Sequence, residues 1–224
     1  MVVCAMRNLR FVFEKKGRAA YLSHLDVMRT FSRSFHRAEI PLRYTEGFNP
    51  HPFISIAHPL SVGVTGSREI LDCDVLTDDA NLIERVNKYL PEGLKTVQLS
   101  DATRKVNEIA FAKYQLTLYY DNRDRLLAAE WLSSLFEKSY IPVMKKSKRG
   151  MVEINLAESI DKLKIDVVDD AFGDELKLSV LIKASPAPLN PRYLIESIVE
   201  DDLRPDFVRY HREGFLDMQK QSFV

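Results

Sequence analysis

The sequence predicts an α+β protein built from two tandem βαββαβ units with antiparallel sheets, and three observations carry that prediction. A period-two segment at Leu9 to Phe13 leads into a helical segment, further strands, a second helix and a closing strand, all within the first hundred residues. The same order recurs from residue 112 onward. In both halves the first helix ends at an Ile-Pro step and a basic extended segment, 39-EIPLR-43 and 140-YIPVMKK-146, which suggests internal duplication. The two units are of the ferredoxin-like kind, spanning 1–100 and 110–224, with a linker at 100-SDATRKVNE-108.

Each element has its own signals. In 23-SHLDVMRTFSRSFHRA-38, Ser23 is the expected N-cap and Asp26 its capping-box partner, with Leu22 and Val27 placed as a hydrophobic staple. Met28, Phe31 and Phe35 recur at helical spacing and should face a core, leaving Arg29, Arg33 and Arg37 as a cationic stripe. Extended segments follow at 40-IPLRYTE-46 and 53-FISIA-57. In 69-EILDCDVL-76 the acids Asp72 and Asp74 face one way, while Leu71, Cys73 and Val75 face the other with Glu69 in phase. Thr77, Asp78 and Asp79 open a second helix through Leu90, ended by Pro91 and Gly93, before a strand at Thr96 to Leu99. In the second half, 112–120 is a strand and Arg123 to Lys138 a helix. Strands then run from Met151 to Lys183, a helix starts at Asn190-Pro191, and 207-FVRYH-211 closes the series.

Composition excludes several classes. The chain has 224 residues, 46% hydrophobic and 29% charged, which fits a globular protein rather than a disordered or fibrous one. The 32 basic and 32 acidic residues cancel, so this is not a protein that coats a polyanion with its whole surface. Any anion site must be local, and residues 1–58 are basic, with nine Lys/Arg against Glu14, Asp26, Glu39 and Glu46. Cys4 and Cys73 lack metal or redox spacing and read as reduced thiols of a cytoplasmic protein. The opening MVVCAM lacks a signal-peptide pattern, and no stretch approaches the roughly 20 apolar residues of a membrane span. Phosphate-loop, dinucleotide and nucleophile-elbow motifs are absent.

The informative stretch is 45-TEGFNPHPFISIAHPL-60, since four of the five histidines fall between residues 24 and 58. A metal site of His24, His51 and His58 with Asp26 or Glu69 is not expected, because His24 and Asp26 diverge by about 200° around a helix. Arg29, Arg33 and Arg43 beside His24, Tyr44, Phe48 and Asn49 form a set suited to holding phosphates and stacking a base. The plain alternative is a solvated helix face. Arginines at successive i+4 positions repel unless an anion or an acid neutralises them. A second basic run, 145-KKSKRG-150, falls in an expected hairpin loop.

The segments 21-YLSHLDVMRTFSRSFHRAEIP-41, 47-GFNPHPFISIAHPLSVGV-64 and 67-SREILDCDV-75 resemble the radical-SAM-linked protein family, domain of unknown function 2344, most sharply over residues 7–76. Its signature positions carry over as Ser23, His24, Asp26, Arg33, Gly47, Phe48, Asn49, Pro50, His51, Pro52 and Glu69, with a departure at Thr45-Glu46 that adds a charge. Members stand alone or are fused to a cobalamin-binding radical S-adenosylmethionine (SAM) enzyme, and this chain looks like the stand-alone form. The resemblance implies a partner rather than a reaction. The chain has no CxxxCxxC motif, so an iron–sulfur cluster, SAM and cobalamin would belong to the partner, and this chain is expected to bind no cofactor itself.

The expected function is an accessory binding protein that presents a substrate, RNA or a ribosome-linked component, to that partner. The substrate-binding set is then Ser23, His24, Asp26, Arg29, Arg33, Arg43, Tyr44, Phe48, Asn49, His51 and Glu69, with the GFNPHP loop holding Asn49 and His51 over the helix start. A second reading is a metal-independent endoribonuclease similar to CRISPR RNA-processing enzymes, with His24 or His51 as general base and Arg33 stabilising the transition state. The Gly-rich C-terminal loop of those enzymes is missing here. A third is a structural adaptor whose histidines are hydrogen-bonded core residues.

Overall fold

The computed structural model describes residues 6–121, 124–147, 150–170, 173–184 and 189–224. Cys4 lies outside the described residues, as do Lys148 and Arg149 of the second basic run. The protein is α+β and divides into two units, Met1–Glu108 with Val224, and Ile109–Phe223.

In the first unit, β1 (Arg7–Lys15) is followed by α1 (His24–Arg37), β2 (Ile54–Ile56), β3 (Thr65–Val75), α2 (Leu82–Asn87) and β4 (Leu94–Asp101). The strands line up in the order β4-β1-β3-β2, and every pair is antiparallel. Alternation in β1 sends Leu9, Phe11 and Phe13 to the face covered by α1, where Phe31 and Phe35 meet them edge-on. Phe13 and Phe31 are 4.9 Å apart between ring centres at 64°, and Phe11 and Phe35 are 5.2 Å apart at 70°. Edge-to-face rings of this kind add about 0.5–1.5 kcal/mol each beyond their burial. Val27 completes the buried stripe, while Met28, expected to face the core, is only half-buried.

Two elements differ from the sequence prediction. Residues 40–46 make no strand; they carry only single bridges, Leu42 to Val75 and Tyr44 to Pro52. Pro41 cannot donate to a ladder, and this segment instead runs as a strap over the end of β3. The second helix starts at Leu82 rather than Thr77. Side chains compete with the helix there: Thr77 Oγ1 accepts from Asp79 N (3.3 Å), and Asp79 Oδ1 accepts from Asn81 N (2.8 Å). Arg85 of α2 then reaches back to α1, donating to the carbonyls of Ala38 and Glu39 at that helix's C-terminal end and pairing with Asp79.

In the second unit, β5 (Phe111–Tyr119), α3 (Arg125–Phe136), β6 (Pro142–Ser147), β7 (Gly150–Asn155), β8 (Ile160–Asp170), β9 (Gly173–Lys183), α4 (Arg192–Glu196) and β10 (Phe207–Leu216) follow in order. The main sheet runs β10-β5-β9-β8, all antiparallel, and β6 and β7 form a separate hairpin. Asp124 caps α3 through Leu126 N and Leu127 N. Leu116, Leu118, Leu176, Leu178 and Val180 are buried, so one face of this sheet is core, and α3, with Ala128 and Leu132 buried, packs against β8 and β9.

Replacing Phe31 by alanine removes a fully buried ring and its contact with Phe13. The expected loss is about 3–5 kcal/mol of unfolding free energy in urea titration; a loss below about 1 kcal/mol would show that the ring is not a packing centre.

Candidate functional site

The helix start is built as the sequence spacing requires. Ser23 Oγ accepts from Asp26 N at 3.2 Å and donates to Asp26 Oδ2 at 2.6 Å. That hydroxyl bond holds the Asp26 carboxyl below the usual carboxylate range against desolvation, with smaller help from the Ser23 backbone and Arg29. Arg29 Nη1 lies 3.4 Å from Asp26 Oδ1. Ser23 and Asp26 therefore serve mainly to fix the helix N-terminus.

Under that N-terminus lies a polar cluster that the core closes around. His24, Lys15 and Glu69 line one narrow cavity of about 10 Å³ together with Phe13, Val27, Ile56, Pro59 and Leu60, room for about one water molecule. Lys15 is 2% exposed and Glu69 1% exposed, so a cation and an anion are both inside the fold. Lys15 Nζ donates to the carbonyl of Leu22 at 3.0 Å, tying the strand end to the residue before the N-cap. The register of β1 on β3 slips between Phe13 and Lys15, which sets Lys15 opposite Gly66. Gly66 has no side chain for a reason: a Cβ there would collide with Glu69 Oε1. His24 Nδ1 is buried and lacks a hydrogen-bond partner, which marks it as the group to be satisfied by a water or ligand atom.

The GFNPHP loop is elsewhere. His51 lines a separate hollow of about 280 Å³ with Asn8, Thr45, Asp72 and Asp74, toward the C-terminal end of β3. Thr45 closes the loop: its Oγ1 accepts from His51 N at 3.1 Å and lies 3.1 Å from His51 Nδ1, and Thr45 N donates to the His51 carbonyl at 2.9 Å. His51 Nδ1 is also 3.2 Å from the Asn49 carbonyl. Gly47 has φ of 128°, a conformation closed to other residues, so the turn depends on it. At the turn Phe48 is fully exposed, at 106% of its reference area. Tyr44 beside it is also exposed.

The carboxylates below this loop are held by cations. Arg10, 3% exposed, makes a two-pronged contact with Asp72 at 2.8 and 2.7 Å. Asp74 accepts from Asn8 Nδ2 at 2.6 Å and from Arg43 Nη1 at 3.2 Å, and the Arg43 guanidinium also stacks 4.2 Å from the Phe53 ring centre. Burial, with Asp72 and Asp74 alongside, pushes the Cys73 thiol far up, so it is an inert core thiol.

A family model matches residues 8–191, that of the family described as "Uncharacterized protein conserved in bacteria (DUF2344)". The chain belongs to this family. No curated protein matches it. Among solved structures, it is similar to a chain of "Crystal Structure of a Cbf5-Nop10-Gar1 Complex" at 9% identity and a TM-score of 0.46, covering 92% of this chain and 49% of that one, so this chain spans about half the other's length. It is also similar to "Crystal structure of putative glycine cleavage system transcriptional repressor" at 14% identity and a TM-score of 0.23, covering 85% and 87%.

The signature positions read from the sequence split over two places. Ser23, His24, Asp26 and Glu69 lie at the helix start, and Gly47, Asn49 and His51 lie in the loop that Thr45 closes. The expected seating of Asn49 and His51 over the helix start does not occur, because β2 pairs with Leu71 to Cys73 and carries the loop toward the Asp74 end of β3. Of the three phosphate candidates, Arg33 is exposed, Arg29 leans on Asp26, and Arg43 is held by Asp74 and Phe53. Sequence reasoning missed Lys15 and Arg10. Lys15 is in phase with Phe11 and Phe13, so an acid in phase with the apolar side of β3 was the available signal for a buried cation opposite it. Among the described residues no three His, Cys, Asp or Glu side chains converge as metal ligands, and no helix is long and apolar enough to cross a membrane.

Ser23→Ala is expected to cost about 1 kcal/mol of stability and to move the Asp26 titration up toward the ordinary carboxylate value, read by NMR. A depressed folded-state pKa contributes stability that is present above the unfolded value and lost as pH falls through the folded one. The variant should therefore show a weaker loss of stability on acidification than the wild type; an unchanged Asp26 titration would show that the hydroxyl bond does not set it.

Proposed function

We propose that this chain is an accessory binding protein that presents a substrate, RNA or a ribosome-linked component, to a partner cobalamin-dependent radical SAM enzyme. The iron–sulfur cluster, SAM and cobalamin belong to that partner, and the two units are ferredoxin-like, a reading supported by the β4-β1-β3-β2 and β10-β5-β9-β8 strand orders.

One observation carries the binding reading. Phe48 stands fully exposed on a turn already locked by Thr45, His51 and Asn49. An exposed aromatic ring has no packing role in the free chain, and a turn fixed in advance lowers the ordering cost of binding. Arg33 and Arg37 are exposed on the solvent side of α1 and supply positive charge within the same unit. The nuclease reading requires an imidazole, a second acid–base group and the reacting phosphate within hydrogen-bond reach. His24 and His51 line different cavities, so neither supports the other in that role.

The test is what a tagged full-length chain captures from cells, with RNA scored by crosslinking and the radical SAM enzyme by co-purification. Phe48→Ala is expected to reduce the captured substrate about tenfold, the size of one lost stacking contact, with an unchanged thermal midpoint and an unchanged yield of the partner enzyme. Equal substrate capture by the variant, or no radical SAM enzyme with either protein, would sink the reading.

A further inference from the structure

The main sheet of the second unit has a second face, turned away from its core, and the strand register sets out the side chains on that face. Lys162 of β8 and Lys113 of β5 flank Leu181 of β9 in one row. In the next, Lys164 is beside Ser179, and the row continues through Gln115 to His211 of β10. The third row holds Asp166, Lys177, Thr117 and Arg209, and the fourth ends in Glu175, Tyr119 and Phe207. All these side chains except Thr117 are half-buried or exposed, whereas their strand neighbours Leu116, Leu178 and Val180 are core. Lys113, Lys162, Lys164, Lys177 and Arg209 outnumber the carboxylates in the rows, Asp166 and Glu175.

The two ends of the face differ in chemistry. At the lysine end a groove of about 670 Å³ is lined by Lys113, Lys162, Lys164 and Lys220, with Ser179 and Leu181 in its floor. Lys113 is paired with Glu213 at 2.5 Å, Lys164 with Asp166 at 2.6 Å and Lys220 with Asp161 at 2.7 Å. These pairs are open to solvent, and exposed pairs contribute little, so a phosphate can exchange for the carboxylate at small cost. At the other end the Tyr119 and Phe207 rings lie 5.7 Å apart, the Arg209 guanidinium sits 5.4 Å from the Tyr119 ring centre, and Phe207 is 58% exposed. Lys113 and Tyr119 are at opposite ends of β5, about 20 Å apart at the rise of an extended strand.

We propose that this face binds single-stranded RNA, with phosphates at Lys113, Lys162 and Lys164 and bases over Phe207 and Tyr119. It deepens the reading of the chain as a substrate-presenting protein by naming the substrate class, and it rests on that reading. An unpaired strand offers both a line of phosphates and free base faces, which is the combination these two ends match. A duplex hides its base faces and would leave the rings without a partner.

The experiment measures binding of a fluorescein-labelled oligouridine of about 12 nucleotides, within the range of known single-strand sites, to the full chain at several salt concentrations. Lys162→Glu/Lys164→Glu is expected to weaken binding at least about tenfold and to make the slope of log affinity against log salt shallower by about 1.4, the effect of two lost phosphate contacts. Phe207→Ala should weaken binding about tenfold with the slope unchanged. Both variants change exposed positions, and thermal midpoints equal to wild type confirm that they fold. Unchanged affinity and slope in both variants overturn the proposal, as does equal affinity for a duplex RNA of the same length. If an Arg29→Ala/Arg33→Ala variant loses RNA while these two keep it, the face is overturned and RNA presentation through the first unit stands. If the wild type binds no RNA, the face is overturned and substrate presentation is left with a ribosome-linked component, decided by the capture experiment on Phe48.

Discussion

The packing of α1 on β1 is the contact on which the first unit depends. Phe31 meets Phe13 and Phe35 meets Phe11, and all four rings are buried. Their spacing on a helix and on a strand fixes both the direction of α1 and its height along the sheet. With that height fixed, the Ser23 cap and His24 come to rest beside Lys15 and Glu69, at the end of the strand pair where the register slips. Arg85 secures the other end of α1 by reaching the carbonyls of Ala38 and Glu39. The helix is thus pinned at three points, and its outward side is left free to carry Arg29, Arg33 and Arg37.

Charge in this protein is arranged by depth. In the first unit, buried Arg10 meets Asp72 in a two-pronged contact, and buried Lys15 and Glu69 line the same small cavity. Inside a fold, removing one member of such a pair strands the other, so these residues hold the structure together. The exposed cations stand on a helix face and on a sheet face, where solvent screens their mutual repulsion and an arriving anion can displace weak local partners. A net charge of zero over the whole chain conceals that division.

Both units repeat one antiparallel strand order around two helices, and they differ in the segment after the first helix. In the first unit the chain passes through the strap at residues 40–46 and the Gly47–Pro52 turn before β2. In the second it forms the β6–β7 hairpin before β8. The Ile-Pro step stands at the start of both insertions, at Ile40-Pro41 and Ile141-Pro142. Variation at that point leaves the sheet intact because the insertion lies between two strands that are not themselves neighbours in the sheet. Loops at such points are free to take on recognition chemistry while the sheet and helices hold them in place.

The α+β class, the order of strands and helices apart from the strand expected at 40–46, the Ser23–Asp26 cap and the apolar phase of Phe31 and Phe35 are legible in the sequence, since each depends on neighbours within about four positions along the chain. Glu69 was placed on the apolar side of β3 by alternation alone. The short start of α2 was not legible, because the Thr77 and Asp79 side chains bond to backbone a few residues on and such competition leaves no periodic trace. The folded arrangement alone makes Lys15 the buried cation near Glu69, sets His24 and His51 in separate hollows, and engages Arg43 with Asp74 and Phe53. It also decided which lysines of the second unit stand side by side. These are relations between residues tens of positions apart, and they arise from strand register and helix docking, which pack the chain as a whole and are written in no single stretch of it.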